Sequence, residues 1–259
     1  MVICLLPAAA AASQTAIGSP APPPLRGDFL VGVDDDHSKW LARPDGRVAK
    51  YRDLGVEAVR LTIPYRRGQS RPTNVRVYLH RGAMLIQRGQ RVVIGVFGRP
   101  EDAPLDAASR RQYCDFLHYV LVRIPFRDVV IWNEANSPTF WPRSGGARAY
   151  EQLLATCWRR LHELPRTINV ISTTAARYDP AGFMREVGQA YRERGRRHPL
   201  VDTFGHNPYP QHSGEPPWIR HSDPRTVAQA DLPRYLDALR AGFEGTPQPL
   251  PLEGNVTVW

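Results

Sequence analysis

The sequence contains almost no lysine: only Lys39 and Lys50 occur in 259 residues. Its formal net charge of +9 is therefore carried by arginine, since 34 Lys+Arg face 25 Asp+Glu. A basic excess is one feature of nucleic-acid-binding proteins. The arginines are spread along predicted helix faces, however, and no zinc-finger, helix-turn-helix or RNA-binding motif accompanies them. We therefore expect solvated helix surfaces and no nucleic-acid partner.

Two missing motifs narrow the possible chemistry. No Gly-x-Ser-x-Gly segment occurs, which argues against a serine hydrolase of the α/β type. No pair of histidines has the spacing that binds zinc on one face of a helix, and no two-histidine-carboxylate cluster of known spacing is present. We expect neither a metal nor an organic cofactor.

Long apolar runs are also missing, so no membrane-spanning helix is predicted. The short apolar run at residues 2–6, followed by Pro7 and an alanine tract, is typical of the core of a signal peptide. It lacks preceding basic residues, and a cytoplasmic protein with a disordered tail is the alternative. A Pro-rich stretch at residues 22–24 follows. We predict a signal-like segment and linker over residues 1–27, a folded domain over residues 28–259, and export to the cell surface or the extracellular space.

Short apolar runs alternate with amphipathic segments along the rest of the chain, which predicts a parallel α/β fold. The predicted strands cover residues 29–33, 56–63, 91–97, 128–132, 168–173 and 201–204, with a seventh beginning at 256–259. The predicted helices cover residues 48–54, 73–88, 106–122, 147–164, 181–194 and 228–243. A doubly wound open sheet and a closed barrel both fit this alternation.

The residues that follow the strands favour the barrel. An open sheet usually has a glycine-rich phosphate turn after its first strand, but here three aspartates and His37 follow and would repel phosphate. Polar groups instead end strand after strand, as at the mouth of a (β/α)8 TIM barrel. These groups are Asp34, Asp35, Arg60, Asn133, Glu134, His206 and Tyr209. We predict an incomplete (β/α)8 fold of about six units plus the start of strand seven.

The cysteines are few. Cys4 falls in the signal-like segment, whereas Cys114 and Cys157 lie in consecutive predicted outer helices, which are neighbours in a barrel. A disulfide between them is possible in an exported protein. Two buried free thiols are the alternative.

The strand-end residues resemble those of the clan A (β/α)8 retaining glycoside hydrolases, which include cellulase-like members. The matching residues are Asn133 and Glu134 in Ile-Trp-Asn-Glu-Ala-Asn at the end of strand four, Arg60 at the end of strand two, and His206 and Tyr209 after strand six. The resemblance covers roughly residues 28–259.

The resemblance implies hydrolysis of β-linked oligo- or polysaccharides by retaining double displacement, in a monomer. It makes Glu134 the acid/base and Asn133 a ligand of the sugar 2-hydroxyl. Arg60 and Tyr209 would lie near the nucleophile. The other expected substrate contacts are Asp34, Asp35, His206 and two aromatic residues, Trp141 and Trp218. An aromatic residue near a strand end is equally often part of the hydrophobic packing. The Pro-rich loop that carries Trp218 also fits a rigid surface connection without a role in binding.

The expected nucleophile is a Glu at the C-terminal end of strand seven. Glu253 precedes that strand, about 10–20 Å from the barrel mouth at ~3.3 Å per residue. We therefore expect the nucleophile beyond Trp259, and a C-terminally truncated, inactive chain. The alternative function is that of a non-catalytic carbohydrate-binding or surface protein on the same scaffold.

Overall fold

A single eight-stranded sheet runs through the protein, with its strands in sequence order. The computed structural model describes residues 2–5, 30–41, 45–251 and 257–258. The strands are β1 (Val2–Leu5), β2 (Leu30–Asp34), β3 (Ala58–Pro64), β4 (Arg91–Phe97), β5 (Asp128–Ile131), β6 (Asn169–Ile171), β7 (Thr203–Phe204) and β8 (Thr257–Val258). β1 is antiparallel to β2, and the neighbouring pairs from β2 to β8 are parallel.

One α-helix follows each strand from β2 to β7. The helices are α1 (Asp45–Asp53), α2 (Val75–Gln87), α3 (Ala107–Arg123), α4 (Gly146–His162), α5 (Pro180–Glu193) and α6 (Leu232–Phe243). Six strand–helix units and β8 thus form a curled parallel half-barrel, which confirms the predicted incomplete (β/α)8 fold. Within the described part of the chain, no helix has the length and apolar character needed to cross a membrane.

Strand β1 falls inside the predicted signal-like segment. It pairs with β2, with Val2 opposite Val33 and Leu5 opposite Leu30. Residues 6–29, which include the predicted Pro-rich linker, lie outside the described residues. Cleavage of this segment and export of the protein stay predictions.

The two faces of the sheet have different partners, because successive side chains of a strand point to opposite sides. One face packs against the helices in the main apolar core, with buried residues such as Val59, Ile94 and Val129. The inner face carries a separate apolar cluster of one residue from each of β4, β5 and β6, namely Val93, Val130 and Ile171. The inner face is therefore only partly apolar.

A row of polar side chains crosses the inner face at the N-terminal ends of four strands. Arg91 donates from Nε and Nη2 to the two carboxylate oxygens of Asp128, at 2.7 and 2.6 Å. Asp128 also accepts from Asn169 Nδ2 at 2.7 Å, and Asn169 accepts from Thr203 Oγ1 at 2.8 Å. Buried polar groups that satisfy one another in this way hold the strands in register. The opposite, C-terminal ends of the strands are left for the candidate site.

Helices α3 and α4 are joined covalently. Cys114 and Cys157 form a disulfide with their Cα atoms 4.9 Å apart. Of the two alternatives that the sequence left open, the structure therefore has the disulfide and not the two free thiols. Both cysteines are fully buried in the core between the helices and the sheet.

We predict that loss of this disulfide lowers the free energy of unfolding by about 4 kcal/mol, because a bond across 43 residues restricts the unfolded chain. Urea unfolding of the oxidised protein and of Cys114→Ser/Cys157→Ser measures the difference. Addition of a reductant should lower the midpoint of the wild type and leave that of the double variant unchanged. Equal midpoints for the two oxidised proteins would contradict the prediction.

Candidate active site

The chain leaves strand β5 through an unusual backbone turn. Trp132 and Glu134 have φ angles of 62° and 43°, in the left-handed region that side chains other than glycine rarely adopt. Such conformations cost about 1–3 kcal/mol each and persist only where the surroundings impose them. Here the turn places the buried Asn133 and the half-buried Glu134 at the C-terminal edge of the sheet. Trp132 itself is fully buried.

Two buried tyrosines from the flanking helices hold this turn. Tyr113 of α3 accepts from the Trp132 backbone N–H at 3.0 Å and donates to the Val96 carbonyl at 2.6 Å. Tyr150 of α4 donates to the Ile131 carbonyl at 3.0 Å. Burial raises the pKa of both hydroxyls well above their usual range, so both stay protonated. The two hydroxyls therefore provide hydrogen-bond partners for backbone groups at the point where the chain leaves the sheet.

Thr173 supports the turn from the end of β6. Its hydroxyl accepts from the Glu134 backbone N–H at 2.8 Å and donates to the Trp132 carbonyl at 3.3 Å. Asn136 fixes the next part of the loop, because its side chain accepts from the Ala175 N–H at 2.7 Å and donates to nearby carbonyls. Residues that follow β6 thus hold both the Glu134 main chain and the loop after it.

Arg60 connects two of the predicted site residues. Its Nη2 donates to Asn133 Oδ1 at 2.8 Å, and its Nη1 lies 3.3 Å from Asp34 Oδ2. The guanidinium is buried, and its Nε has no hydrogen-bond partner in the described part of the chain. Gly95 makes room for it, since a Cβ there would lie 3.1 Å from Nη2. The site therefore contains a desolvated cation with one unused N–H.

Glu134 is contacted by the loop after β7. Asn207 donates from Nδ2 to Glu134 Oε1 at 2.7 Å. Tyr209 lies in the same loop, where burial raises the pKa of its hydroxyl and the nearby charge of Glu134 raises it further. Asp34 also raises that pKa and Arg60 lowers it, so all three ionised groups act on the Tyr209 hydroxyl. The structure thus brings together five predicted residues: Asp34, Arg60, Asn133, Glu134 and Tyr209.

Asp35 and His206 do not join this group, contrary to the prediction. Asp35 accepts from the Tyr51 hydroxyl at 2.6 Å and lies 3.4 Å from Arg47, both on α1. His206 is buried, with Nδ1 at 2.9 Å from Thr174 Oγ1 and Nε2 at 2.8 Å from the Val227 carbonyl. Because both ring nitrogens have protein partners, His206 has none to offer a sugar.

The two predicted aromatic contacts differ. Trp141 is 2% exposed, packs against Trp132 and Tyr150, and donates to the Gly146 carbonyl at 3.2 Å. It is a packing residue in this structure, and its burial does not support the predicted contact with substrate. Trp218 is 74% exposed on the loop after β7 and stays a predicted substrate contact.

A histidine between two carboxylates lies near the end of the loop that carries Trp218. His221 Nδ1 lies 2.7 Å from Asp231 Oδ2, and this hydrogen bond raises the pKa of the imidazole. Nε2 lies 3.1 Å from Glu215 Oε1, and this second carboxylate raises the pKa further. The interaction ties the loop to the residues just before α6. In the part of the chain that the structure describes, no His, Cys, Asp and Glu side chains are grouped to hold a metal ion.

Asn207 and Thr173 are the contacts of Glu134 that sequence reasoning missed. Asn207 directly follows His206 after predicted strand six, which is β7 in the structure, so the sequence already placed it at a strand end. The signal that could have found it is the alternation of side chains along a strand, which puts only one of two consecutive residues on the inner face. Thr173 likewise lies at the end of a predicted strand.

The fold is shared with solved glycoside hydrolase structures. The GH53 catalytic domain of Ignisphaera aggregans is 16% identical with a TM-score of 0.58, and the alignment covers 88% of this chain and 69% of that one. A structure of fungal β-1,4-galactanases is 16% identical with a TM-score of 0.50, covering 76% and 60%. A glycoside hydrolase family 18 N-acetylglucosaminidase from Paenibacillus barengoltzii is 13% identical with a TM-score of 0.52, covering 78% and 61%.

These likenesses concern the fold. No family model matches the sequence, and no curated protein matches it. The aligned part amounts to 60–69% of the length of the three solved chains. The predicted resemblance to the (β/α)8 glycoside hydrolases is thus confirmed at the level of architecture.

We predict that Tyr113→Phe and Tyr150→Phe each lower the free energy of unfolding by about 1–3 kcal/mol, because each leaves a buried backbone group without a partner. Urea unfolding measures the loss. Tyr119→Phe on the outer part of α3 is the matched control, since no hydrogen bond of its hydroxyl supports the turn. Losses no larger than that of the control would show that the two hydroxyls do not hold the turn.

We also predict a loss of stability in acid that depends on His206. Burial lowers the pKa of its imidazole to about 4, whereas a histidine in the unfolded chain titrates near about 6.5. Between these values only the unfolded chain takes up the proton, so the free energy of unfolding should fall by about 3 kcal/mol as the pH drops from 7 to 4. His221, whose pKa is raised, contributes in the opposite direction, because its stabilisation is lost as the pH rises.

NMR titration of the individual imidazole rings separates the two effects. The His206 ring should stay neutral down to about pH 4. A His206 midpoint near about 6.5, the value for a histidine in an unfolded chain, would contradict the prediction.

Proposed function

We propose that this chain is part of a glycoside hydrolase that cleaves β-linked oligo- or polysaccharides with retention of configuration. The observation that carries the proposal is the group formed by Glu134, Asn207, Asn133 and Arg60 at the C-terminal edge of the sheet. Active sites of (β/α)8 enzymes lie at this edge. The fold neighbours, which include β-1,4-galactanases and an N-acetylglucosaminidase by their names, support a carbohydrate substrate.

Glu134 is suited to the role of acid/base. Asn207 binds Oε1, which leaves Oε2 without a protein partner in the described residues and able to carry the proton. A general acid protonates the glycosidic oxygen as the bond breaks and then serves as the base that activates water. Thr173 and the tyrosines beneath the turn fix the main chain, so the carboxyl is held in place before substrate binds.

Asn133 and Arg60 are suited to binding rather than to proton transfer. Asn133 uses its carbonyl oxygen for Arg60, which leaves its amide N–H groups for a sugar hydroxyl. Arg60 keeps an unused Nε–H and a buried positive charge. An anionic oxygen beside it, such as a carboxylate nucleophile, would be stabilised in its ionised form.

The second carboxylate of the retaining mechanism is proposed to follow β8. The two carboxyl groups of such a site lie about 5–5.5 Å apart. Asp34 is paired with Arg60, and Glu253 lies outside the described residues. By resemblance, the nucleophile would lie at the C-terminal end of β8 (Thr257–Val258).

The disulfide supports the proposed extracellular location. Disulfides persist in oxidising compartments and are rare in the cytosol. The Cys114–Cys157 bond joins two helices of the core and is fully buried, so it has a structural role.

The second candidate function is carbohydrate binding without catalysis. The observation that favours it is Trp218, whose indole is 74% exposed on the loop beside the site. An exposed aromatic face can stack on a sugar ring without any need for an acid. Catalysis requires a proton from Glu134, whereas carbohydrate binding does not.

We predict that Glu134→Gln lowers the turnover number by about 10²–10⁴-fold, since the amide has no proton to give. The assay is hydrolysis of aryl β-galactosides, β-glucosides and N-acetyl-β-glucosaminides by the chain extended through the reading frame after residue 259, and by the 259-residue chain. The loss should be larger for a phenol leaving group than for a nitrophenol, because a better leaving group needs less protonation. Glu101→Gln, an exposed acid after β4, is the matched control.

Each outcome separates the candidate functions. Glu134-dependent turnover by the extended chain alone supports the proposed mechanism and the position of the nucleophile. Turnover by the 259-residue chain would show that the partner carboxylate lies within it. Binding of galacto-oligosaccharides that Trp218→Ala weakens, without turnover by any form, would favour carbohydrate binding.

A further inference from the structure

Six arginines surround two adjoining cavities on the helical side of the protein. The cavities have volumes of about 190 and 270 Å³ and share three residues, Arg159, Arg194 and Arg196. Arg110 and Arg111 of α3 complete one cavity, and Arg197 in the segment after α5 completes the other. Of the residues that the structure describes, no carboxylate lines either cavity. The two cavities are called the arginine basin below.

The positive charge of the basin is only slightly compensated. Glu151 lies beneath it, fully buried, with its Oε2 at 3.0 Å from Arg194 Nε, and it also pairs with Arg196. Among the described residues, Arg159 donates to a carbonyl of its own helix, Ala155, at 3.4 Å. Among the described residues, Glu151 thus pairs with two of the six guanidinium groups, and Asp106 acts on Arg110 from outside the cavity lining.

Arg110 shows the repulsion within the basin. Burial lowers the pKa of its guanidinium, and the charges of Arg194 and Arg196 lower it further. Asp106 and Glu151 act in the opposite direction without cancelling the decrease. An anion in the basin would relieve this repulsion.

The arginine-rich composition alone does not account for this arrangement. Elsewhere on the helices, arginines pair with their own acids: Arg160 lies 2.7 Å from Asp115, and Arg148 lies 2.6 Å from Glu193. These are ordinary surface ion pairs. The basin differs because its cations converge on a concave space that no acid enters.

The disulfide joins the two helices that carry three of the basin arginines. Cys114 lies one turn after Arg110 and Arg111 on α3, and Cys157 lies two residues before Arg159 on α4. The bond therefore fixes the spacing between the arginines of the two helices. A preorganised set of donors loses little entropy when a ligand binds.

We propose that the arginine basin binds a tetrahedral oxyanion, either a phosphate or sulfate ion or the same group on an ester. Guanidinium groups bind such oxygens with paired, charge-assisted N–H donors. Several converging guanidiniums match the multiple oxygens and the double charge of this ligand. The proposal does not rest on the glycosidase function, because it uses none of the residues at the C-terminal edge of the sheet.

The test is isothermal titration of the protein with sodium phosphate, sodium sulfate and glucose 6-phosphate, in sodium chloride adjusted to constant ionic strength. Arg159→Gln/Arg197→Gln removes two exposed charges from the basin. Arg76→Gln/Arg185→Gln removes two exposed arginines from α2 and α5 and is the matched control. We expect saturable binding to the wild type and the control, with affinity at least tenfold weaker for the basin variant.

The ligands distinguish the source of the oxyanion. Equal affinity for phosphate and glucose 6-phosphate assigns the basin to the free ion, whereas tighter binding of the ester assigns it to esters. The proposal would be overturned if the heat of titration depended only on ionic strength and did not differ between the two double variants. Tight binding of duplex DNA that the basin variant loses, together with no binding of inorganic phosphate, would also overturn it in favour of a nucleic-acid surface.

Discussion

The candidate site depends on how the backbone leaves strand β5. The chain turns there through two left-handed residues, Trp132 and Glu134, in a buried place where every N–H and C=O needs a partner. Tyr113 and Tyr150 supply those partners from the helices behind the sheet. A looser turn would let Glu134 rotate away from Asn207. The helices therefore do more than cover the sheet, because their buried hydroxyls determine where the carboxyl lies.

The sequence predicted the strand ends well but could not predict which side chain at each end faces inward. Asp34 and Asp35 look equivalent in the sequence, yet Asp34 reaches Arg60 on the inner face and Asp35 reaches Tyr51 on α1. The same holds after β7, where Asn207 reaches Glu134 and its neighbour His206 packs against the helical side. A shift of one residue exchanges the two faces, and the register became known only from the paired strands.

Periodicity and the stops made by glycine and proline were sufficient for the fold, since each predicted helix and parallel strand appears within a few residues. These signals were insufficient where the same sequence pattern is compatible with two different structures. The apolar run at residues 2–6 is typical of a signal core, and part of it also pairs as β1. Trp141 lies near a strand end, where aromatics either bind sugars or pack, and only its burial against Trp132 distinguishes the two.

Arg60 and Glu134 lie in the same site, but each has its own hydrogen-bond partners. A direct pair between them would favour the ionised carboxylate and so oppose the donation of a proton. The structure avoids that pair, because Arg60 binds the neutral amide of Asn133 and the carboxylate of Asp34. Glu134 takes its hydrogen bond from Asn207, another neutral amide. Two uncharged side chains, Asn133 and Asn207, thus lie between the Arg60 guanidinium and the Glu134 carboxyl.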